Sequence, residues 1–242
     1  MRLDIFLVKN GFVKSRERAK DLISKKHVSV DGIIISKCSH NVSDNSEINL
    51  KSLDIPFVSR AGLKLQKALE SFKVIVKDKI CLDIGVATGG FTDCLLQNGA
   101  SKVIAIDVGD GQLDKKLVSD SRVEFLAHTD ARNFKLNRKI DLVVIDISFI
   151  SITKIIDNLK HNIQNETDII ALIKPQFEYD KKHHGIISDS EVRNQLVEKV
   201  KKEFIERGFI LKNQVESPIL GKGGNKEILF LLKLELNTSP NQ

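Results

Sequence analysis

The sequence predicts an α/β protein in which a mostly parallel, doubly wound sheet follows a small N-terminal α+β module. Three observations carry this. Short apolar runs ending in a carboxylate or lysine, Ile80–Ile84, Lys102–Asp107, Ile140–Asp146 and Asp168–Lys174, alternate with stretches of helical period, the pattern of a parallel sheet whose strands are buried on both faces. Two β-rich runs, Phe209–Val215 and Glu227–Leu236, close the chain. The N-terminal residues have another texture, and they form a unit of their own, 1–50, joined by a linker, 51–59, to a larger domain, 60–242.

In chain order, Leu3, Phe6 and Leu7 mark a short amphipathic helix that Gly11 stops. Ser15 can cap a second helix, Arg16 to Lys25, whose Ala19, Leu22 and Ile23 face a core, while Arg16 and Lys20, four apart, share a face. Val28–Val30, the turn pair Asp31-Gly32 and Ile33–Ile35 read as a hairpin, with Ile48–Leu50 as a further strand. Beyond the linker a helix runs from Arg60 through Leu69 to the strand Ile80–Ile84. Gly85-Val-Ala-Thr-Gly-Gly90 then offers backbone amides without bulky side chains, and a helix from Phe91 stops at Gly99.

Asp107 lies 24 positions after Asp83, where a nucleotide-binding βαβ unit places the carboxylate for ribose hydroxyls. A third strand, Val123–Ala127, delivers Thr129-Asp130-Ala131 toward an adenine edge. After Asp146 a helix spans 151–160, Asp168–Ile173 ends at Lys174-Pro175, and Ser188 caps a helix that Gly208 terminates. Ligands of such sheets collect at the carboxyl ends of the strands, where Asp83, Asp107, Asp146 and Lys174 all fall.

Composition narrows the function. With 242 residues and 41% hydrophobic content the chain holds one sizeable core plus an appendage. No apolar run is long enough to span a bilayer, and charges throughout the first residues argue against a signal peptide. Cys38, Cys81 and Cys94 lack metal-ligand spacing and fit a reduced, cytoplasmic protein, and His183-His184 has no partner at ligand spacing, so no metal is expected. Eight basic against three acidic residues between Met1 and Lys26 give +5 of the chain's total +6, the footprint of a nucleic-acid-binding module.

The glycine loop misses the G-x-G-x-x-G dinucleotide spacing, and the acidic Asp83 before it suits an ammonium better than a pyrophosphate, which disfavours an NAD-dependent dehydrogenase. The loop resembles that of Rossmann-type methyltransferases, which bind S-adenosylmethionine. Asp146 and Lys174 need a further explanation. A lysine works as a base only when its pKa falls from about 10.4 toward neutrality, and a second cation with an orienting carboxylate suits deprotonation of a weak alcohol attacking an electrophilic methyl group.

The N-terminal pattern, two short helices with Lys14-Ser15-Arg16 opening the second and then Val28-Ser-Val-Asp-Gly32, resembles the small RNA-binding S4 domain. That resemblance implies that Arg2, Lys14, Ser15, Arg16, Arg18 and Lys20, together with Arg60, lie against RNA phosphates, contacts that position without reading sequence. Along the rest of the chain, Val58-Ser-Arg-Ala-Gly-Leu-Lys64, Asp83-Ile-Gly-Val-Ala-Thr-Gly-Gly-Phe-Thr-Asp93, Asp107-Val-Gly-Asp-Gly-Gln-Leu113, Asp141-Leu-Val-Val-Ile-Asp-Ile-Ser-Phe149, Lys174-Pro-Gln-Phe-Glu178 and Gly223-Gly-Asn-Lys-Glu227 resemble the TlyA-type ribosomal RNA 2′-O-methyltransferases, also called haemolysins, whose catalytic domain is FtsJ-like.

The resemblance implies a Rossmann-like S-adenosylmethionine-dependent methyltransferase domain acting as a cytoplasmic monomer on a cytidine ribose of ribosomal RNA (23S, with 16S in longer members), within a ribosomal subunit. It implies a catalytic set Lys64, Asp146, Lys174 and Glu227, with Lys174 activating the 2′-hydroxyl, Lys64 supplying a neighbouring cation, Asp146 orienting and Glu227 placing the ribose. The cofactor set is Asp83, Gly85, Thr88, Gly89, Gly90, Phe91, Asp107, Val108, Asp130, Ala131 and Asp146. Two positions depart from the family, Ala87 where Ser is usual and Asp130 where Asn is common, and both bear on cofactor contacts rather than reaction class. A membrane-active haemolysin would need a membrane segment that the sequence lacks, and a non-catalytic RNA-binding module would have no use for paired lysines around an aspartate.

Overall fold

Leu3, Phe6 and Leu7 lie on one face of α1 (Leu3–Lys9) and are buried against Ala19, Leu22 and Ile23 of α2 (Arg16–Ser24). In this computed structural model, which describes residues 1–10, 12–13, 15–43, 46–50, 56–109, 112–179, 185–221 and 224–235, those helices belong to the first of two compact units, Met1–Ile55 and Pro56–Gln242. Ser15 caps α2, its hydroxyl accepting from the Arg18 amide at 3.2 Å. Asp31 and Gly32 both take positive φ, 50° and 80°, the turn whose twist suits a two-residue hairpin. They join β1 (Val28–Val30) to β2 (Ile33–Ile34), and β3 (Ile48–Leu50) pairs antiparallel with the other edge of β1. The stop expected at Gly11 lies outside the described residues.

One charge is locked inside this small unit. Asp4 is fully buried and accepts from Arg2 Nε at 3.0 Å and from the Arg16 guanidinium at 2.9 Å. The Arg2 hydrogen bond, helped by Arg16 and opposed by burial, holds its carboxyl down at about 2.

The second unit is built on a seven-stranded sheet. Its strands in chain order are β4 (Ile80–Ile84), β5 (Lys102–Ile106), β6 (Val123–Leu126), β7 (Leu142–Ile145), β8 (Asp168–Ile173), β9 (Phe209–Glu216) and β10 (Ile228–Leu234). They lie side by side as β6-β5-β4-β7-β8-β10-β9. The five from β6 to β8 are parallel, and β10 enters antiparallel between β8 and β9. Strand order reverses between β4 and β7, the switch point at which open α/β sheets bind ligands. The apolar runs read from the sequence are buried strand for strand, β7 along its whole length.

Helices flank the sheet: α3 (Ala61–Phe72), α4 (Gly90–Gln97), α5 (Lys115–Val118), α6 (Ile156–His161), α7 (Pro175–Glu178) and α8 (Ser190–Glu206). The first runs three residues past its expected end at Leu69 and stops at Lys73, whose left-handed φ of 56° needs no glycine. Asp189, not Ser188, caps α8, accepting from the amides of Glu191 at 2.7 Å and Val192 at 3.4 Å. Both residue types cap well, and the one standing directly before the first helical turn takes the role. The span expected as one helix from 151 to 160 is a 3₁₀ turn, Ile152–Ile155, running into α6. Helices α5 and α7, four residues each, carry too little period to be read from sequence.

Replacing Asp4 by Asn should lower the stability of the first unit by about 1–2 kcal/mol at pH 7, seen as faster hydrogen exchange in β1. Because the folded carboxyl is depressed, its contribution is complete above the ordinary aspartate range and is lost as pH falls through about 2, so parent and variant should converge there.

Candidate functional site

The sheet register sets the site before any side chain is considered. Leu126, Ile106, Ile84, Ile145 and Ala171 form one paired row across β6, β5, β4, β7 and β8. One step beyond that row stand Gly85, Asp107 and Asp146, on a single edge. The Gly85 amide donates to Ile106 O at 3.0 Å and the Asp146 amide to Ile84 O at 2.9 Å. Gly85 has φ of 86°, and a Cβ there would lie 2.8 Å from the Asp146 carbonyl, so the strand-end loops meet too closely for a side chain.

Among the described residues four buried side-chain polar atoms lack a hydrogen-bond partner, and three of them, Asp83 Oδ1, Asp146 Oδ1 and Gln176 Oε1, belong to residues of the β4, β7 and β8 ends. Asp146 Oδ1 faces the Lys174 ammonium at 2.5 Å, which leaves Asp83 Oδ1 and Gln176 Oε1 as the two that a donor-bearing ligand would satisfy. Asp83 is fully buried, its other oxygen accepting from Thr92 Oγ1 at 2.6 Å. Burial, reinforced by the negative charges of Asp146 and Asp107, pushes its carboxyl up to about 7.

Asp107 is held at both oxygens, by the Ala87 amide at 2.8 Å and the Gly109 amide at 2.9 Å, and Val108 beside it is 69% exposed. Gly89 is left-handed, and a Cβ on Gly90 would meet Ser59 Oγ at 2.2 Å, so the glycine loop packs against the segment leading into α3. Asp93, also buried, fixes that segment by accepting from the Val58 amide at 2.7 Å. Thr88 is exposed at the loop, whereas the rings and methyls of Phe91 and Ala131 are buried and leave only backbone to face a ligand. Asp130 is engaged by Arg132 through its guanidinium and amide, which holds its carboxyl below the usual range.

The four catalytic candidates form two ion pairs, in which Lys64, Lys174 and Glu227 are buried and Asp146 is half-buried. Lys174 Nζ lies 2.5 Å from Asp146 Oδ1, a charge contact rather than an aligned hydrogen bond, and donates to Ser148 Oγ at 2.9 Å. Lys64 Nζ donates to Glu227 Oε2 at 2.5 Å. Each lysine thus has its own carboxylate, instead of one aspartate serving both. Cross-strand pairing of Ile228 with Ile173 sets Glu227 beside Lys174, and Gln176 Nε2 reaches Glu227 Oε1 at 3.5 Å. A Cβ on Gly221 would fall 2.1 Å from Glu227 Oε1, so that glycine makes room for the carboxylate.

Sequence reading passed over several neighbours of these groups. Phe149, with φ of 70°, is 90% exposed and its ring centroid lies 5.6 Å from that of Phe177, over which Lys174 Nζ sits at 5.8 Å. Buried Glu178 accepts from Ser151 Oγ and, at 2.9 Å, from the Ile152 amide, tying α7 to the loop that carries Ser148 and Phe149. Only its place inside quoted motifs could have flagged any of these.

The basic residues of the first unit are partly committed. Arg2 and Arg16 hold Asp4, Arg18 pairs with Asp21 at 3.2 Å, Ser15 is the cap, and Lys20 is exposed. Lys14 lies outside the described residues, and Arg60 stands at the N-terminus of α3 in the second unit. No group of three metal-ligating side chains occurs among the described residues.

Residues 57–234 match the family model of the FtsJ-like methyltransferases, and residues 1–48 match the S4 domain. Among curated relatives, "Hemolysin A" of Brachyspira hyodysenteriae is 41% identical over 95% of this chain and 98% of its own length. The "16S/23S rRNA (cytidine-2'-O)-methyltransferase TlyA" of Mycobacterium tuberculosis is 37% identical over 97% of this chain and 90% of its own. A solved structure of a hemolysin-named protein from Streptococcus thermophilus superposes with a TM-score of 0.78 at 36% identity, covering all of this chain and 92% of that one.

The raised Asp83 carboxyl has a measurable consequence. An unfolded aspartate ionises near 3.8 and the folded one near 7, so the fold loses stability as pH rises between those values. Asp83→Asn removes that penalty at the cost of an unpaired amide, and it should be about 1–2 kcal/mol more stable than the parent at pH 8 with no advantage at pH 4, as read by urea unfolding.

Proposed function

The chain belongs to the FtsJ-like methyltransferase family and carries an S4 domain, and from that premise we propose that it transfers a methyl group from S-adenosylmethionine to the 2′-hydroxyl of a cytidine in ribosomal RNA. The observation that carries the reading is the pair of buried Lys174 with half-buried Asp146, with Lys174 over the ring of Phe177 and a second, buried lysine–carboxylate pair, Lys64–Glu227, at the strand ends.

The residues on the cofactor side fit this group. Asp83 Oδ1 and Gln176 Oε1 are buried acceptors without a donor, and the amino-acid ammonium, ribose hydroxyls and adenine amine of S-adenosylmethionine supply donors. Asp83 would lie toward the ammonium, whose charge offsets the burial that otherwise favours its neutral form. The loop amides of Gly85, Thr88, Gly89 and Gly90 would border the methionine portion, Asp107 the ribose hydroxyls, Val108 an adenine face, and Asp130 and Ala131 the adenine edge. When bound, S-adenosylmethionine supplies an electrophilic methyl group on a sulfonium.

On the acceptor side, Lys174 would first pass its ammonium proton to Asp146 at the ion-pair contact, and the neutral amine, held toward Ser148, would take the 2′-hydroxyl proton as that oxygen bonds to the methyl carbon and the carbon–sulfur bond breaks to leave a neutral thioether. Asp146 and Ser148 fix the amine in direction. Glu227, held by Lys64 and Gln176, accepts from a ribose hydroxyl and orients the sugar. A paired nucleotide cannot bring its ribose to a recessed amine, so the target leaves the stack, and the exposed ring of Phe149, backed by half-buried Phe177, receives its base. The S4 unit supplies sequence-independent phosphate contacts, and a ribosomal substrate places the reaction in the cytoplasm.

The test uses purified protein, labelled S-adenosylmethionine and ribosomal subunits from cells lacking the modification. The parent should label RNA on a cytidine 2′-oxygen, and Lys174→Ala should be slower by about 10²–10⁴-fold with cofactor affinity changed less than about twofold. Loss of cofactor binding in that variant would contradict the role given to Lys174.

A further inference from the structure

The first unit contains two aromatic side chains, Phe6 and Phe12, in a chain with 5% aromatic content. Phe6 is 4% exposed and part of the small core. Phe12, in the turn between α1 and α2, is 42% exposed, and its ring stacks on Phe6 with centroids 6.3 Å apart and planes 24° from parallel. The turn is anchored, since the Val13 amide donates to Leu7 O at 3.2 Å and Asn10 Nδ2 to Phe6 O at 3.0 Å. A half-exposed ring is therefore backed by a buried one. The exposed cations Lys9, Arg16 and Lys20 flank it in sequence, within the segment that carries net +5.

A hydrophobic ring among cations suits neither a lipid interior nor an apolar protein partner, because burying those cations is costly. It suits single-stranded nucleic acid, where lysine and arginine follow the phosphates while an aromatic face takes an unstacked base. We propose that Phe12 is a base-stacking platform for an unpaired nucleotide of the RNA bound by this unit. The inference rests on the RNA-binding reading and deepens it. Such a platform contributes attraction that depends little on salt, whereas the surrounding cations bind through counterion release and depend on it strongly. It also makes the unit prefer looped RNA over continuous duplex, because a duplex offers no free base face.

The experiment measures binding of a single-stranded oligocytidine and of a blunt RNA duplex of equal length to full-length protein over a range of salt. Phe12→Leu keeps the apolar volume and removes the π face. It should weaken single-strand binding by about 5- to 30-fold, leave duplex binding unchanged and preserve the salt slope. The chain has no tryptophan, so Phe12→Trp provides a single reporter whose emission should be quenched by the oligocytidine and not by the duplex. The double variant Arg18→Ala, Lys20→Ala should weaken both RNAs and flatten the slope. Unchanged single-strand affinity in Phe12→Leu, or unquenched emission in Phe12→Trp, overturns the stacking inference while the charge variants still uphold RNA binding. A parent protein that binds neither RNA overturns both readings.

Discussion

The site depends on a constraint of charge burial. Two ammonium groups sit almost out of water at the ends of β8 and α3's first turn, and each is tolerable only because a carboxylate has been brought to it. For Lys174 the partner arrives by parallel sheet register, Asp146 standing one step past the row shared with β4 and β5. For Lys64 it arrives by the antiparallel insertion of β10, which sets Glu227 across from Lys174 and within reach of α3. Buried pairs of this kind add little net stability, so their presence at the strand ends is better explained by what they do than by what they hold together.

The cofactor side shows the same tension. Asp83 is driven toward neutrality by its own burial and by two neighbouring carboxylates, an arrangement that costs the free protein stability. Unsatisfied acceptors at Asp83 and Gln176 add to that cost. A site that is strained when empty of donors and relieved when donors arrive trades stability for affinity, the usual balance at functional positions. Glycines at 85, 90 and 221 complete it by removing side chains where backbone, serine or carboxylate must approach.

Much of this was legible in the sequence. The buried strands and their acidic ends showed because parallel strands read as unbroken apolar runs, and the hairpin showed because Asp31-Gly32 is a strong turn signal. The four catalytic candidates showed through ordered motifs. The pairing among them did not, since which lysine meets which carboxylate is fixed by β10 entering antiparallel beside β8, a long-range event without a local signature. Helix ends set by Lys73 and Asp189 were missed because they use a left-handed lysine and one of two adjacent capping residues. The commitment of Arg2 and Arg16 to Asp4 was equally hidden, because a lone acidic residue in a basic segment reads as solvated until it is seen to be buried.

An FtsJ-like methyltransferase domain with two lysine–carboxylate pairs at its strand ends and an S4 module with a basic segment support the proposed reaction, methylation of a ribose in ribosomal RNA. The most direct measurement is mass spectrometry of ribosomal RNA from cells with and without the gene, digested to nucleosides and mapped to position. The account predicts that deletion removes a 2′-O-methyl group from at least one cytidine and that re-expression of the parent gene restores it. Ribosomal RNA with identical methylation in both strains, in both subunits, would contradict it.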